Sequence, residues 1–295
     1  MPKDFKVTES KKDWHESRDS QIMTSDPLNY NFSSQIKYSK ELKKLVRRMT
    51  KTVRREIEKF FKSDDMEVFH AEQVKMAQDA SVASQAKILT NKLISRFTWL
   101  FNDKAPDLAE MMVNSQLKNS RVSLAASLKE LSGGLTIKTN FMTGDLNEVV
   151  KSIVAENVSL IKSIADVYLS NVQKSVLRSI TFGQGLKDLI PRLKKFDGMS
   201  ERHAKNVALD QTRKTYNSIN RARMEKVGVK KFKWLHSGGG QKPRKDHIEM
   251  NGNIYSFDDL PVIDKRTGER GIPGQAINCR CRMAPVIEFD NDEEG

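Results

Sequence analysis

Cysteine is nearly absent: two residues, Cys279 and Cys281, among 295. A disulfide scaffold is excluded, and so sparse a thiol content suits a reducing compartment. No run of about 18 apolar residues occurs, so no membrane span is expected. The first twenty residues are polar throughout and lack the apolar stretch of a secretion signal. There is no repeat of 20–50 residues, which excludes a solenoid. Acidic residues are in deficit, 38 against 51 Lys and Arg, leaving a net charge of +13. Such an excess favours a polyanionic or acidic partner and says nothing of fold. Familiar catalytic signatures are missing too: no P-loop, no G-x-S-x-G, no H-E-x-x-H, no paired C-x-x-C. On these grounds no enzyme and no cofactor are expected.

What is present is amphipathic. Hydrophobic residues make up 38% of the chain, enough for a core, and the length suits about two domains. Residues 1–38 are polar and short of aliphatics, so they read as extended or weakly ordered, with Trp14, Tyr30, Phe32 and Tyr38 as anchors. From 40 to 61, Leu42, Leu45, Val46, Met49, Val53, Ile57, Phe60 and Phe61 recur at helical spacing. Two or three helices are predicted over 66–131. Their stripe includes Ile88, Leu93, Phe97 and Phe101, with a break at Pro106 and a stop at Gly133-Gly134. A linker is placed at 135–147. A long helix follows at about 147–182, then a short one ending at Pro191, then one over 200–227 with Ser200 as N-cap. After Gly228 the period shortens: Phe232, Trp234 and His236 alternate as in a strand. Further strands are predicted near 253–257 and over 280–289, the last an edge or bulged strand because it holds Pro285. The expected fold class is α+β, mainly α. It has a helical N-terminal domain (39–134), long central helices, a small C-terminal β element (both within 148–289), and an acidic tail (290–295).

Two basic blocks stand out. Nine cations against three acids lie between 40 and 60, and thirteen against four lie between 192 and 233. Lys43, Lys44, Arg47, Arg48, Lys51, Arg54, Arg55, Arg213, Lys214, Arg221 and Arg223 are candidates for contact with DNA or an acidic partner. A solvated helix face explains the same pattern. The other chemistry-bearing residues crowd into 236–281. His236, His247, Cys279 and Cys281 are metal-ligand types, and four of them suffice for tetrahedral zinc. Their spacing is not that of a zinc knuckle. The competing reading is a polar network pinning loops, with Arg244 and His247 bonded to carbonyls or carboxylates and the cysteines reduced. A third is a hydrolase or nuclease using His247 with the cysteines or Asp246, although no carboxylate cluster is evident. A disulfide between Cys279 and Cys281 would close a strained ring.

Four runs in order carry a resemblance. They are Ala155–Ile180, Ala208–Arg223, Trp234–Tyr255 (WLHSGGGQKPRKDHIEMNGNIY) and Pro273–Cys281 (PGQAINCRC). Together they make the stretch 141–289 resemble the phage Mu F-like head morphogenesis family, the minor capsid proteins of tailed bacteriophages. The chain departs from the family's habit at Leu209, where arginine is frequent, and at Lys245-Asp246. The resemblance implies a minor head protein, in few copies, inside the virion head and in the host cytoplasm during assembly. Its implied partners are the portal protein, the major capsid protein and double-stranded DNA bound non-specifically, with no membrane. A scaffold-type interaction module without DNA contact is the remaining alternative. The signature residues Asp210, Gln211, Trp234, His236, Arg244, His247, Asn251, Gly252, Pro273, Gly274, Asn278, Cys279 and Cys281 are implied to be structural. The chain ends shortly past the last run, so no appended effector domain is expected.

Overall fold

The computed structural model describes residues 15–17, 20–62, 76–134, 136–139, 143–238 and 243–290. The readings placed on Trp14, on 66–75, on Gly239–Lys242 and on the tail after 290 lie outside the described residues. The fold is mostly helical, with long central helices and a small antiparallel sheet, the α+β class expected. Two units emerge, each assembled from separated stretches: Met1–Tyr30, Leu117–Val149 and Arg213–Gly295 in one, Asn31–Gln116 and Val150–Thr212 in the other.

The second unit is helical, and residues 117–131, 144–149 and 213–226 of the long helices belong to the first unit. The first helix, α1 (Phe32–Phe61), takes in the last seven residues of the segment expected to be extended. Asn31 is the reason, since its side chain accepts a hydrogen bond from the Ser33 amide, 2.9 Å, and caps the helix. Tyr38, Leu42, Val46, Met49, Val53, Ile57 and Phe61 are buried along one stripe. Next, α2 (Met76–Leu131) is a single helix with Pro106 inside it rather than at a break. Pro106 is exposed while Ala105 and Ala109 are fully buried, so the amide it lacks falls on the wet face. Water can satisfy the carbonyl one turn earlier, and the buried stripe continues past it. Ile88, assigned to that stripe, is 65% exposed. The third helix, α3 (Gly144–Thr181), begins within the expected linker.

Another correction concerns α4 (Leu186–Lys226), one helix where two were predicted. Pro191 is the sixth residue of this helix and lies on its exposed face, so the Lys187 carbonyl that it leaves without an amide can be met by water. Ser200 is a buried member of the stripe Leu189, Leu193, Ser200, Ala204, Ala208 rather than a cap. An ion pair closes α1 on α4: Arg54 donates to Asp197 at 2.8 Å, and the Tyr168 hydroxyl donates to the same carboxylate at 2.9 Å. Burial nonetheless holds Asp197 above the usual carboxylate range, with Tyr168 and Arg54 opposing. A raised carboxyl binds its proton more readily in the folded state. Its contribution to stability is therefore present below the ordinary carboxylate range and lost as pH rises through the raised value. Asp197→Asn is expected to remove this part of the pH dependence, as read by denaturant unfolding near pH 4 and near pH 7.

The first unit is built on a five-stranded antiparallel sheet, ordered β1-β2-β7-β3-β4. The strands are β1 (His15–Ser17), β2 (Ser20–Thr24), β3 (Lys231–Leu235), β4 (Ile254–Ser256) and β7 (Arg282–Asp290). A two-stranded ribbon, β5 (Val262–Asp264) with β6 (Glu269–Arg270), and a short helix, α5 (Lys245–Glu249), complete it. Two of these positions correct the sequence reading. The N-terminal segment pairs into the sheet, with Thr24 opposite Val286 and Leu28 N–H donating to Met283 O at 2.9 Å. The strand holding Pro285 is central, not an edge. Ser25 N–H donates to Pro285 O, so the proline's nitrogen faces the β2 side one residue past the last pair of that ladder. The ladder therefore keeps all its bonds there. Phe232, Trp234, Met283, Leu124, Leu128, Tyr216 and Leu28 form the core beneath.

Candidate functional site

All the signature residues but Asp210 and Gln211 gather in the first unit around the end of β3, α5 and the loop entering β7. Trp234 is fully buried on β3 and meets the His247 ring edge-on, with centroids 5.2 Å apart. Gly252 N–H donates to Trp234 O at 2.8 Å, and Asn251 Oδ1 accepts the His236 amide at 2.8 Å. Arg244 Nη1 reaches over to Ile277 O at 3.0 Å. The turn that follows is shaped by two left-handed residues, Gly274 (φ 82°) and Asn278 (φ 58°). A methyl group on Gly274 would overlap Asn217 Nδ2, and the conformation itself disfavours a side chain. Gly274→Ala is expected to lower stability by about 1–3 kcal/mol, measured by thermal or urea unfolding.

That turn delivers Cys279 and Cys281 against His247. All three are buried, and their ligand atoms lie within 4.8 Å of one another. His247 Nδ1 stands 3.3 Å from Cys279 Sγ and 3.7 Å from Cys281 Sγ. The other ring nitrogen, Nε2, lies 2.9 Å from Ile263 O on β5, an approach only an N–H can make favourably. The ring is thus held with Nδ1 unprotonated toward the sulfurs in its neutral form. Cys281 N–H donates to Cys279 Sγ at 3.4 Å. Hydrogen bonding from Cys281, with His247 adding to it, draws the Cys279 thiol below its ordinary range against the pull of burial. The bond to Cys279, with burial, pushes Cys281 up. His247 is raised, chiefly by its bond to Cys279. Both cysteines are free thiols. His236 stands outside this group, its Nδ1 accepting the Gly238 amide at 3.2 Å. Asp246, a carboxylate candidate for hydrolysis, is paired with Lys265 at 2.7 Å.

Gln211 belongs to the second unit. It is buried and donates to Glu156 at 3.0 Å while accepting from Asn157, which in turn accepts from Tyr38. Asp210, on the same helix, is half-buried.

The basic candidates divide. Arg223 is only 3% exposed and donates to Leu117 O and Ser120 Oγ, so a role in surface contact is corrected by burial. Arg213 donates to Cys279 O and lies over the Tyr30 ring. Lys214 is half-buried beside it in sequence. Arg221 is held by Glu225 and by Phe257 O. On α1, Arg47 forks onto Glu201 at 3.1 and 2.9 Å, and Arg54 is bound to Asp197. Lys43 is half-buried. What remains is a stripe: Lys37, Lys40, Lys44, Arg48, Lys51, Arg55 and Lys59 are all exposed. Steps of three and four residues keep them on one face for roughly 33 Å, with Glu41 and Glu58 at its margins. Only Arg55 of the seven makes a salt bridge among the described residues, to Glu56. Lys37, Lys40 and Lys59 join the candidates only with the helix face in view, although their spacing is there to count in the sequence.

Comparison with known proteins fits this geometry. Residues 170–284 match the family described as Phage Mu protein F like protein, and over that span the chain carries a Phage Mu protein F-like domain. The span runs from within α3 to within β7 and holds every signature residue named above. A protein of Haemophilus influenzae, described as an uncharacterized protein, is 29% identical over 279 residues, covering 91% of this chain and 56% of its own length. The chain therefore spans about half the length of the curated relative it matches. No solved structure matches. Among the described residues no helix is long and apolar enough to cross a membrane.

Proposed function

We propose that the chain is a minor head protein that acts in head morphogenesis of a tailed phage, near the portal and inside the head. The observation that carries this reading is the Phage Mu protein F-like domain over 170–284, a family of phage head proteins. The role is structural rather than enzymatic. Asp246 is held by Lys265, and His247, Cys279 and Cys281 are buried side chains that pack α5 against the loop entering β7. Portal protein and major capsid protein of the same phage are the expected partners. The α1 stripe supports a further contact, with the packaged duplex. Seven exposed cations along one helix face neutralise phosphates without reading bases, so binding is independent of sequence and weakens with salt. Deleting the coding sequence in the phage that carries it is the test. Loss of normal heads by electron microscopy, restored by the chain supplied in trans, is expected. Normal heads and normal infectious yield without the chain refute the role.

A further inference from the structure

We propose that His247, Cys279 and Cys281 together bind one zinc ion, which staples α5 to the loop entering β7. Zinc with bonds of roughly 2.3 Å to sulfur and roughly 2.0 Å to nitrogen sets tetrahedral S and N ligands about 3.5 Å apart. The two Nδ1–sulfur distances here, 3.3 and 3.7 Å, bracket that separation. A hydrogen-bond network does not need this arrangement: a neutral imidazole Nδ1 accepts a single proton, yet two sulfurs converge on it. The tautomer is the one a metal requires, because the opposite nitrogen is engaged by Ile263 O. Such an outer partner is the usual companion of a metal-bound histidine.

Two further groups face the sulfurs as donors. The Cys281 amide points at Cys279 Sγ. The Trp234 indole nitrogen is buried, packed beside His247 and near enough to the Cys281 thiol to act on it, yet makes no well-aligned hydrogen bond among the described residues. A metal-bound thiolate, which carries charge on sulfur, is a far better acceptor for both than a neutral thiol. The donor set, two soft sulfurs and one imidazole, selects zinc over magnesium or calcium. On binding, each thiol releases its proton to solvent and the metal takes two thiolates and one neutral imidazole. The fourth position is left to a solvent oxygen. With all three ligands at most 5% exposed, the ion's role is to hold the fold.

Because the chain has only two cysteines, the test is direct on the intact protein. Reduced chain is titrated with Co(II) as a spectroscopic stand-in, then with Zn(II). One equivalent of Co(II) is expected to give thiolate-to-metal charge transfer and tetrahedral ligand-field bands, erased by one equivalent of Zn(II). Cys279→Ser, Cys281→Ser and His247→Ala are expected to lose the bands, while His236→Ala keeps them. Should those variants fail to fold, wild-type chain still decides. Zinc is expected to slow modification of both thiols by a disulfide reagent at least tenfold. Folded, reduced chain that shows neither bands nor thiol protection overturns the site. This outcome is independent of any role in the phage head.

Discussion

Trp234→Ala is expected to destabilise the first unit by about 3–5 kcal/mol, the range for removing a large aromatic side chain from a close-packed core. The side chain is fully buried, contacts His247 edge-on, and lies near Tyr255. It belongs to the same core cluster as Phe232, Met283, Cys279 and Cys281. Nothing adjacent is free to collapse into the space, because β3 is flanked on both sides by paired strands. A change of this size is a large share of the total stability of an ordinary domain. Trp99→Ala supplies the contrast, since Trp99 is 67% exposed on α2 and its removal is expected to change stability by less than about 0.5 kcal/mol. Denaturant unfolding of the two variants checks the pair. Equal effects would mean that the core is not organised around β3.

The second large effect concerns DNA. Replacing Lys44, Arg48, Lys51 and Lys59 by glutamine removes four exposed cations from the α1 stripe. Every phosphate left without its cation flattens the slope of log affinity against log salt by about 0.9, so the four together reduce its magnitude by up to about 3.6. Affinity for any duplex should fall in parallel, whatever its sequence. Arg47→Gln is the control. Arg47 borders the stripe, but its guanidinium is already neutralised by Glu201, so its removal is expected to change the slope less than the loss of any one unpaired cation. Stability should shift little as well, since exposed ion pairs contribute about 0–1 kcal/mol. A slope that does not move in the fourfold variant would assign the stripe to solvent or to an acidic protein surface.

Much of the helical framework is legible in the sequence because its signal is local. The buried stripe of α1 repeats at three and four residues, and Phe232 and Trp234 alternate in β3 as strand residues do. Breakers mislead for the opposite reason. Pro106, Pro191 and Ser200 are stop or start signals in isolation, but the two prolines lie on exposed faces of helices whose buried stripes run on past them, Ser200 is itself in such a stripe, and packing overrides the local preference. The pairing of residues 20–24 with β7 is not legible. That strand is short and largely polar, and its stability comes from ladder bonds to a segment some 260 residues away. The site is half legible. His247 and Cys279 are ligand types on sight, but 32 residues separate them, and only the left-handed turn at Gly274 and Asn278 brings them together. Ile263 and Asn217, which fix the imidazole and crowd Gly274, carry no sequence signal of that role.

The central claim is that this chain is a component of a phage head. Quantitative mass spectrometry of purified procapsids and mature virions tests it most directly, by counting copies of the chain per particle. A few copies in procapsids and in virions are the predicted result. Absence from every particle would contradict the account.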